Sequence, residues 1–384
     1  MNGLVVVHVL SSFGLGGQER VALSLARLQR EAGHRVLALS LAAPPDGPLA
    51  QAFHEAGVET ESVPKRGPSV DPSLPVRLAK LLSERRAQVV HTHNPHALIY
   101  GAPAAAMVGA VTVHTKHGIN PDGERRQWLR RAASRLADAY VAVTDSLARV
   151  ALERNECAPA QLHVIPNGID LTRFSPNPEA RRRIREQLGI PSDAWVLGSV
   201  GRLSPEKNQA LLVQAAAPML DQRRHLILVG EGPERAALET RVADSLRGAF
   251  VHFTGARDDV PELLAAFDVF ALTSSSEGLP LVVLEAMASE LPVLTTAVGG
   301  VPDVIEDRVT GYLVDSGDAA ALTRQMAWLS SRPPQAQLVA RCARSTVLER
   351  HGLPQMAARY ASLYEQLLTL RQPSIETRAQ VASG

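Results

Sequence analysis

Cysteine is nearly absent from this chain of 384 residues, occurring only as Cys157 and Cys342. Two thiols cannot build a disulfide framework or a cysteine-based zinc site, and such sparse usage fits a reducing compartment. The plain expectation for both is burial. Net charge is also lacking, with 40 Lys and Arg against 39 Asp and Glu, a formal balance of +1. No global field then draws nucleic acid, and any anion the protein binds must be held locally. Long apolar runs are missing too. The longest stretch free of both charged residues and histidine, Ala97 to Val113, spans 17 residues and is broken by Gly101, Pro103 and Gly109, too short for a membrane-spanning helix. The N-terminal MNGLVVVHVL has no basic lead and runs straight into polar SSFGLGGQER. It is expected to be a first strand, not a signal peptide, with the mature protein starting near Met1. Internal repeats and low-complexity tracts are absent as well.

Hydrophobic residues make up 45% and charged residues 21%, the balance of a folded globular chain. The length suits two domains of roughly 150 to 200 residues each. Short Val/Ile/Leu-rich runs alternate with helical patterns: LVVVHVL, a helix over Gln18 to Glu31, HRVLALSL, a helix over Leu74 to Arg86, QVVHTH, a helix over Ala97 to Met107, then VTVHTKHG. Apolar strands of this kind are expected in a parallel sheet covered by helices on both faces. After AYVAVT and LHVIPNGID, the Pro- and Asn-rich run Phe174 to Pro178 reads as a linker. A second series follows: AWVLGSVGRL, HLILVGEG, AFVHFTG, DVFALTS, LPVLTT and GYLV. The expected architecture is two Rossmann-like α/β domains, each a doubly wound parallel sheet. Their boundaries are 1–165 and 179–353, with a linker at 166–178, a final helix at about 354–371 that packs back on the first domain, and a frayed tail at 373–384.

In open α/β sheets ligands sit beyond the carboxyl ends of strands, so the loops there carry the argument. After LVVVHVL comes Gly14-Leu-Gly-Gly17 and then a helix, a turn whose backbone N–H groups suit an anion. The alternative is a tight turn packed on the sheet. A dinucleotide fingerprint would need a glycine where Glu19 stands and an acid after the second strand, where the chain reads Ser-Leu-Ala-Ala43. In the second half, Gly201-Arg-Leu-Ser-Pro-Glu-Lys-Asn208 places Arg202 and Lys207 beside a strand end and a helix expected to open at Ser204-Pro205. Two cations there suit a diphosphate; solvated surface charge is the alternative. Further on, SSSEGLPLVVLEAMA spaces Glu277 and Glu285 by seven residues. Glu277 is expected at a strand mouth. Glu285 is expected inside a helix among apolar neighbours, where a carboxylate needs a donor partner such as a ribose diol or a nearby Arg.

These segments together resemble the retaining GT-B glycosyltransferases of the family four type (glycosyl transferases group 1), over nearly the whole chain. GRLSPEKN is similar to the family's diphosphate loop, VGEGPE to its next strand and turn, TGARDDVPELLAAFDVF to its base-contacting segment, and SSSEGLPLVVLEAMASELPVL to its paired-glutamate signature. The resemblance implies two domains facing each other across a cleft. It assigns Arg202 and Lys207 to the pyrophosphate, and Glu285 to the ribose. Glu277, with the backbone of Gly278, Leu279 and Pro280, goes to the donor sugar and phosphate, and Arg257 to the base edge. Gly16 and Gly17 fall to the donor side. The sugar-facing histidine is expected at His117, whose context before Asn120 matches better than His114, a packed strand residue. His93 and Asn120 are candidate acceptor contacts, and His91 and His93 have a structural alternative.

The implied reaction breaks the anomeric bond of a UDP- or GDP-sugar with retention and passes the sugar to a glycan, glycolipid or lipid-linked acceptor in surface polysaccharide synthesis. His117, Glu277, Arg202 and Lys207 would carry it, with cationic groups and helix ends stabilising the departing diphosphate. No metal or other cofactor is expected, and the sequence has no Asp-x-Asp pair; Asp258-Asp259 read as a helix start before Val260. Residues 1–165 carry 18 Lys and Arg against 14 Asp and Glu. Arg125, Arg126, Arg130, Arg131 and Arg135 cluster on one expected helix with Trp128 and Leu129 between them, compatible with an anionic membrane surface or with a solvated face. The protein is expected to be cytoplasmic, at most peripheral to the inner face of the plasma membrane. The alternatives are a UDP-sugar 2-epimerase of similar two-domain build, an NAD-dependent oxidoreductase opposed by Glu19, and a binding subunit without catalysis.

Overall fold

A computed structural model of the protein describes residues 3–44, 46–67, 69–119, 124–243 and 247–371, without the side chains of 124 and 125. Asn120 and the tail from Pro373 lie outside the described residues. The chain forms two compact units, the first running to Asn167 and taking in the last helix, the second covering Gly168–Gly352.

In the first unit strands and helices alternate as β1 (Val5–Leu10), α1 (Gly17–Glu31), β2 (Arg35–Ser40), α2 (Leu49–Glu55), β3 (Glu59–Ser62), α3 (Leu74–Glu84), β4 (Val89–Thr92), α4 (Pro95–Val108), β5 (Val111–Lys116), α5 (Glu124–Ser134), β6 (Ala139–Ala142), α6 (Asp145–Glu153) and β7 (Leu162–Val164). The second holds α7 (Pro178–Gln187), β8 (Trp195–Val200), α8 (Gln209–Ala216), β9 (Arg224–Val229), α9 (Arg235–Ala243), β10 (Val251–Gly255), α10 (Val260–Ala266), β11 (Val269–Leu272), α11 (Leu281–Ala288), β12 (Val293–Thr296), β13 (Tyr312–Val314), α12 (Ala319–Ser331) and α13 (Pro333–Arg350). The last helix, α14 (Leu353–Arg371), belongs to the first unit.

All strands within each sheet are parallel, in the orders β3-β2-β1-β4-β5-β6-β7 and β10-β9-β8-β11-β12-β13. Every residue of β4, β5, β6, β11 and β12 is buried, as strands covered by helices on both faces must be. Strand order reverses between β1 and β4 in one sheet and between β8 and β11 in the other. At those two points the crossover helices leave in opposite directions and open a crevice at the strand ends. The expected fold class, two doubly wound parallel sheets, is the one observed.

Helix α14 is held to the first unit by buried Tyr360 and Tyr364 and by Arg371, whose guanidinium bonds Asp138 and the Gly109 and Ala110 carbonyls at 2.8 Å each. Strand β3 was not expected, since its sequence ETES has no apolar run. It is an edge strand whose Glu59 and Glu61 pair with Arg35 and Arg85 at 2.9–3.2 Å, a charged edge that discourages further pairing.

Three sequence expectations need correction. Helix α8 opens at Gln209, not at Ser204-Pro205. The Lys207 and Asn208 amides bond the Ser204 carbonyl at 3.0 and 3.1 Å, closing a turn, and Asn208 is left-handed with φ 49°. The arginine stripe on α5 is not one solvated face. Arg130 is buried, Arg131 donates to the Arg154 carbonyl at 2.9 Å, and Arg126, Arg135 and Trp128 stay exposed. Finally, Cys342 is exposed, while Cys157 is half-buried with its thiol pushed up to about 11 by burial and then by Glu156.

Arg130 joins a closed ionic cluster beneath β5 and β6. Glu156 receives Lys116 at 2.7 Å, Arg130 at 2.8 Å and the Tyr140 hydroxyl at 2.8 Å. Burial works against its charge, yet these partners outweigh that and hold its carboxyl below the usual range. Removing one member of such a buried set leaves an uncompensated charge, at a cost of about 3 to 5 kcal/mol. The cluster therefore pins the end of β5, from which His117 projects.

Candidate functional site

At the reversal of the second sheet, the loop after β8 (Gly201 to Asn208) lies beside the loop after β11 (Thr273 to Pro280). The two are stitched together: the Ser275 amide donates to the Glu206 carbonyl at 2.8 Å, and the Thr273 hydroxyl to the Asn208 carbonyl at 2.9 Å. Between them Lys207 Nζ donates to Glu277 Oε1 at 2.5 Å, and the Ser274 hydroxyl donates to the same oxygen at 2.6 Å. Both bonds fall on Oε1, which leaves Oε2 for a ligand. Glu277 is buried and Lys207 half-buried, so their attraction is only partly screened.

The backbone at Glu277 is fixed by Gly299, which has φ +55°; a Cβ there would lie 1.8 Å from the Glu277 carbonyl oxygen. The Gly300 amide, in turn, donates to the Gly278 carbonyl at 2.9 Å. Gly278, Leu279 and Pro280 lead into α11, whose N-terminal end follows at once and carries partial positive charge. Arg202 is exposed on the same β8 loop, its carbonyl taking the Gln209 side chain at 2.9 Å. Glu285 is half-buried on α11. Arg257 instead grips Asp259 at 2.5 and 2.7 Å, and Asp259 precedes α10 without a side-chain cap.

At the reversal of the first sheet the chemistry is neutral. The turn Gly14 to Gly17 opens α1, but its anion seat is filled from within. Glu19 folds back to accept from the Gly16 and Glu19 amides, and Gln18 donates to it at 2.7 Å. A Cβ at Gly16 would come within 2.0 Å of that carboxylate, whereas one at Gly17 meets nothing within 4 Å. Gly16 is thus a glycine because of Glu19, in a reach from third residue to cap position that serves the helix end itself.

Beyond β4 and β5 stands a line of histidines. His117 Nε2 lies 3.2 Å from His93 Nδ1, His93 Nε2 lies 2.8 Å from His8 Nδ1, and His8 Nε2 lies 2.7 Å from Gln29 Oε1. His91 bonds the Tyr364 hydroxyl at 2.6 Å and Thr115 at 2.7 Å. His93, the candidate acceptor contact, is 1% exposed, and its two ring nitrogens link His8 to His117. His114 is a packed strand residue bonded to Thr92 at 2.9 Å, as the sequence suggested.

His8, His91 and His93 offer nitrogens within 4.8 Å of one another, a spacing that suits a metal. All six of their ring nitrogens already have hydrogen-bond partners, so an ion there would have to break the network. Sequence reasoning passed over His8, Gln29 and Asn94. Only Asn94 carried a local signal, standing before Pro95 as a helix cap, and its Oδ1 does accept from the Ala97 amide at 2.9 Å.

Comparison with known proteins fits this arrangement. Residues 15–173 match the family model for Glycosyltransferase Family 4, and residues 180–346 that for Glycosyl transferases group 1. The GDP-mannose-dependent alpha-mannosyltransferase of Mycobacterium tuberculosis (strain CDC 1551 / Oshkosh) is 30% identical over 343 residues, 83% of this chain and 85% of that one. The UDP-Gal:alpha-D-GlcNAc-diphosphoundecaprenol alpha-1,3-galactosyltransferase of Escherichia coli is 28% identical over 256 residues, 63% of this chain and 66% of that one. The chain thus spans just under two thirds of that relative. Anabaena Alr3699/HepE in complex with UDP-glucose superposes with TM-score 0.85 at 24% identity, over 94% of this chain and 100% of that one, a likeness of fold. The chain belongs to the family 4, group 1 glycosyltransferases and has their GT-B architecture.

The histidine line makes stability pH-dependent in a fixed direction. Burial lowers His8 to about 4 and His117 to about 3, and holds His91 and His93 well below their ordinary value. The unfolded chain therefore binds protons first as pH falls, so stability is full above about pH 6.5 and declines from there toward pH 4. His8 alone contributes a loss of about 2 kcal/mol between pH 7 and pH 5. Urea unfolding followed by circular dichroism at those two pH values checks this; equal midpoints would contradict neutral burial of the network.

Proposed function

We propose that this protein transfers a hexose from a UDP- or GDP-sugar, with retention of configuration, to a glycan, glycolipid or lipid-linked acceptor in surface polysaccharide synthesis. The observation that carries this reading is the Lys207–Glu277 pair between the two loops at the reversal of the second sheet, with Arg202 on the same loop and the start of α11 beside it. A diphosphate meets two cations and a helix end there, and a sugar hydroxyl can donate to Glu277 Oε2. In the proposed complex Arg202 and Lys207 hold the diphosphate, and Glu277 and the Gly278, Leu279 and Pro280 backbone hold the sugar and its phosphate. Glu285 takes the ribose. Arg257 reaches the base edge by releasing Asp259, and His117 faces the sugar from the first unit. Gly16 and Gly17 enter only as backbone, since Glu19 already takes the Gly16 amide.

Bond cleavage leaves negative charge on the departing diphosphate, where preorganised positive groups lower the barrier most. Arg202 and Lys207 supply that charge, which supports a reaction without metal. Thermal-shift measurements in EDTA with UDP, GDP, UDP-glucose, UDP-N-acetylglucosamine, GDP-mannose and NAD⁺ test the donor. A ligand at about 100 times its dissociation constant stabilises by about 2.7 kcal/mol. One nucleotide-sugar class is expected to do so, with Lys207→Met weakening it about tenfold to hundredfold. A shift with NAD⁺ alone, or turnover restored to an EDTA-treated enzyme only by Mg²⁺ or Mn²⁺, would refute the reading.

In the proposed complex Glu277 accepts from hydroxyls of the sugar and does not lie beneath the anomeric carbon, which makes it a poor nucleophile. Front-face attack, with the leaving phosphate taking the acceptor proton, is therefore the proposed route. Glu277→Gln should keep measurable turnover and trap nothing; a glycosyl adduct in the intact mass spectrum would establish double displacement instead.

Exposed Trp128, Arg126 and Arg135 on and just after α5 support peripheral contact with an anionic membrane, from the cytoplasmic side. Co-flotation with phosphatidylglycerol vesicles but not with phosphatidylcholine vesicles is expected, reduced by Trp128→Ala. Failure to float with either removes the membrane from the proposal.

A further inference from the structure

The histidine line is a directional chain. Gln29 Oε1 is an acceptor, so His8 Nε2 carries the proton between them and His8 Nδ1 is left with a lone pair. His93 Nε2 must then donate to His8 Nδ1, which leaves His93 Nδ1 to accept from His117 Nε2. His117 Nδ1 therefore ends the chain as a lone pair. Among the described residues it has no partner, although it is buried. The opposite tautomer would leave a buried N–H without an acceptor, the rarer and costlier kind of orphan.

His117 lines a polar cavity of about 20 Å³, room for a single hydroxyl or water. Asn94 lines the same cavity, and its orientation is not ambiguous. Its Oδ1 accepts from the Ala97 amide and from the Ser11 hydroxyl at 2.6 Å, so Nδ2 is the atom left over, and that donor is also buried without a partner among the described residues. One acceptor and one donor without partners on one small cavity are the complement of a hydroxyl group, which donates to the first and accepts from the second.

We propose that Gln29, acting through His8 and His93, is the positioning residue that keeps His117, the sugar-facing histidine of the reading above, in the acceptor tautomer, so that its Nδ1 and the Asn94 Nδ2 meet one hydroxyl of a carbohydrate substrate. The assignment of that hydroxyl to the transferred sugar or the acceptor rests on the transferase reading above; the tautomer chain does not. Gln29 sits on α1, His8 on β1, His93 beyond β4 and His117 beyond β5, so four separate elements must stay in register for the last ring to present its lone pair. Tyr364 of α14 closes the far end, with its hydroxyl 3.4 Å from Gln29 Nε2, which keeps the amide oxygen turned toward His8.

The test begins with the unmodified, ligand-free protein labelled with ¹⁵N-histidine. Long-range ¹H–¹⁵N correlation reads which ring nitrogen of each histidine carries the proton, with His117 identified by the signal lost in His117→Asn. Nε2–H with a bare Nδ1 on His117 is expected; Nδ1–H there overturns the proposal without reference to any variant's folding. Gln29→Met removes the terminal acceptor and should give mixed tautomers at His117, with kcat/KM for the nucleotide sugar down about fivefold to tenfold. A Gln29→Met protein that keeps one tautomer and full kcat/KM sinks the positioning role. Absence of transfer with every donor would count against the transferase reading alone, because the tautomer is read without substrate.

Discussion

Parallel strands buried on both faces have nowhere to present chemistry except at their ends. The central strands of each unit are rich in Val, Ile and Leu, and the polar groups of the candidate site gather at or near their ends where the order of strands reverses, around β1, β4 and β5 in one sheet and after β8 and β11 in the other. Everything functional in the molecule follows from that restriction. The β8 loop can reach Glu277 because β8 and β11 are neighbours. His93 can reach both His8 and His117 because β1, β4 and β5 lie side by side.

The two units meet the restriction with opposite electrostatics. In the second, Lys207 and Arg202 stand at least partly in solvent, where charge is cheap to maintain and available to an anionic ligand. In the first, the groups at the strand ends are buried, and burial keeps the imidazoles uncharged. Beneath β5 and β6 of that unit, Glu156 gathers Lys116 and Arg130 into one buried ionic cluster. A neutral, hydrogen-bonding surface suits recognition of hydroxyl groups, and a cationic one suits a departing diphosphate.

Much of this was legible in the chain. Continuous runs such as LVVVHVL and HLILV announced buried parallel strands, and Arg202, Lys207, Glu277 and Glu285 stood out because charged residues beside such runs are rare. Other features left no local trace. ETES reads as a loop, since an edge strand paired on one side does not need apolar residues. Ser204-Pro205 looks like a helix start, and only the left-handed Asn208 postpones the helix to Gln209. The stripe on α5 looked uniform because spacing alone does not reveal that Glu156, twenty-six residues beyond Arg130, reaches back to bury it. His8, Gln29 and Tyr364 lie far apart in sequence and join only in the folded sheet, so no spacing rule could collect them.

Glu19 shows how close two readings of one motif can lie. A glycine turn before a helix is an anion site by its backbone, whether the anion belongs to a ligand or to the chain. Here the chain supplies its own carboxylate, buried at the helix end, and burial raises its pKa against the two amides that favour its charge. The Glu19 side chain closes the turn at Gly16, while a Cβ at Gly17 would meet nothing within 4 Å. A glycine-rich turn therefore marks where an anion can sit, and only the third residue of the helix decides whose anion it is.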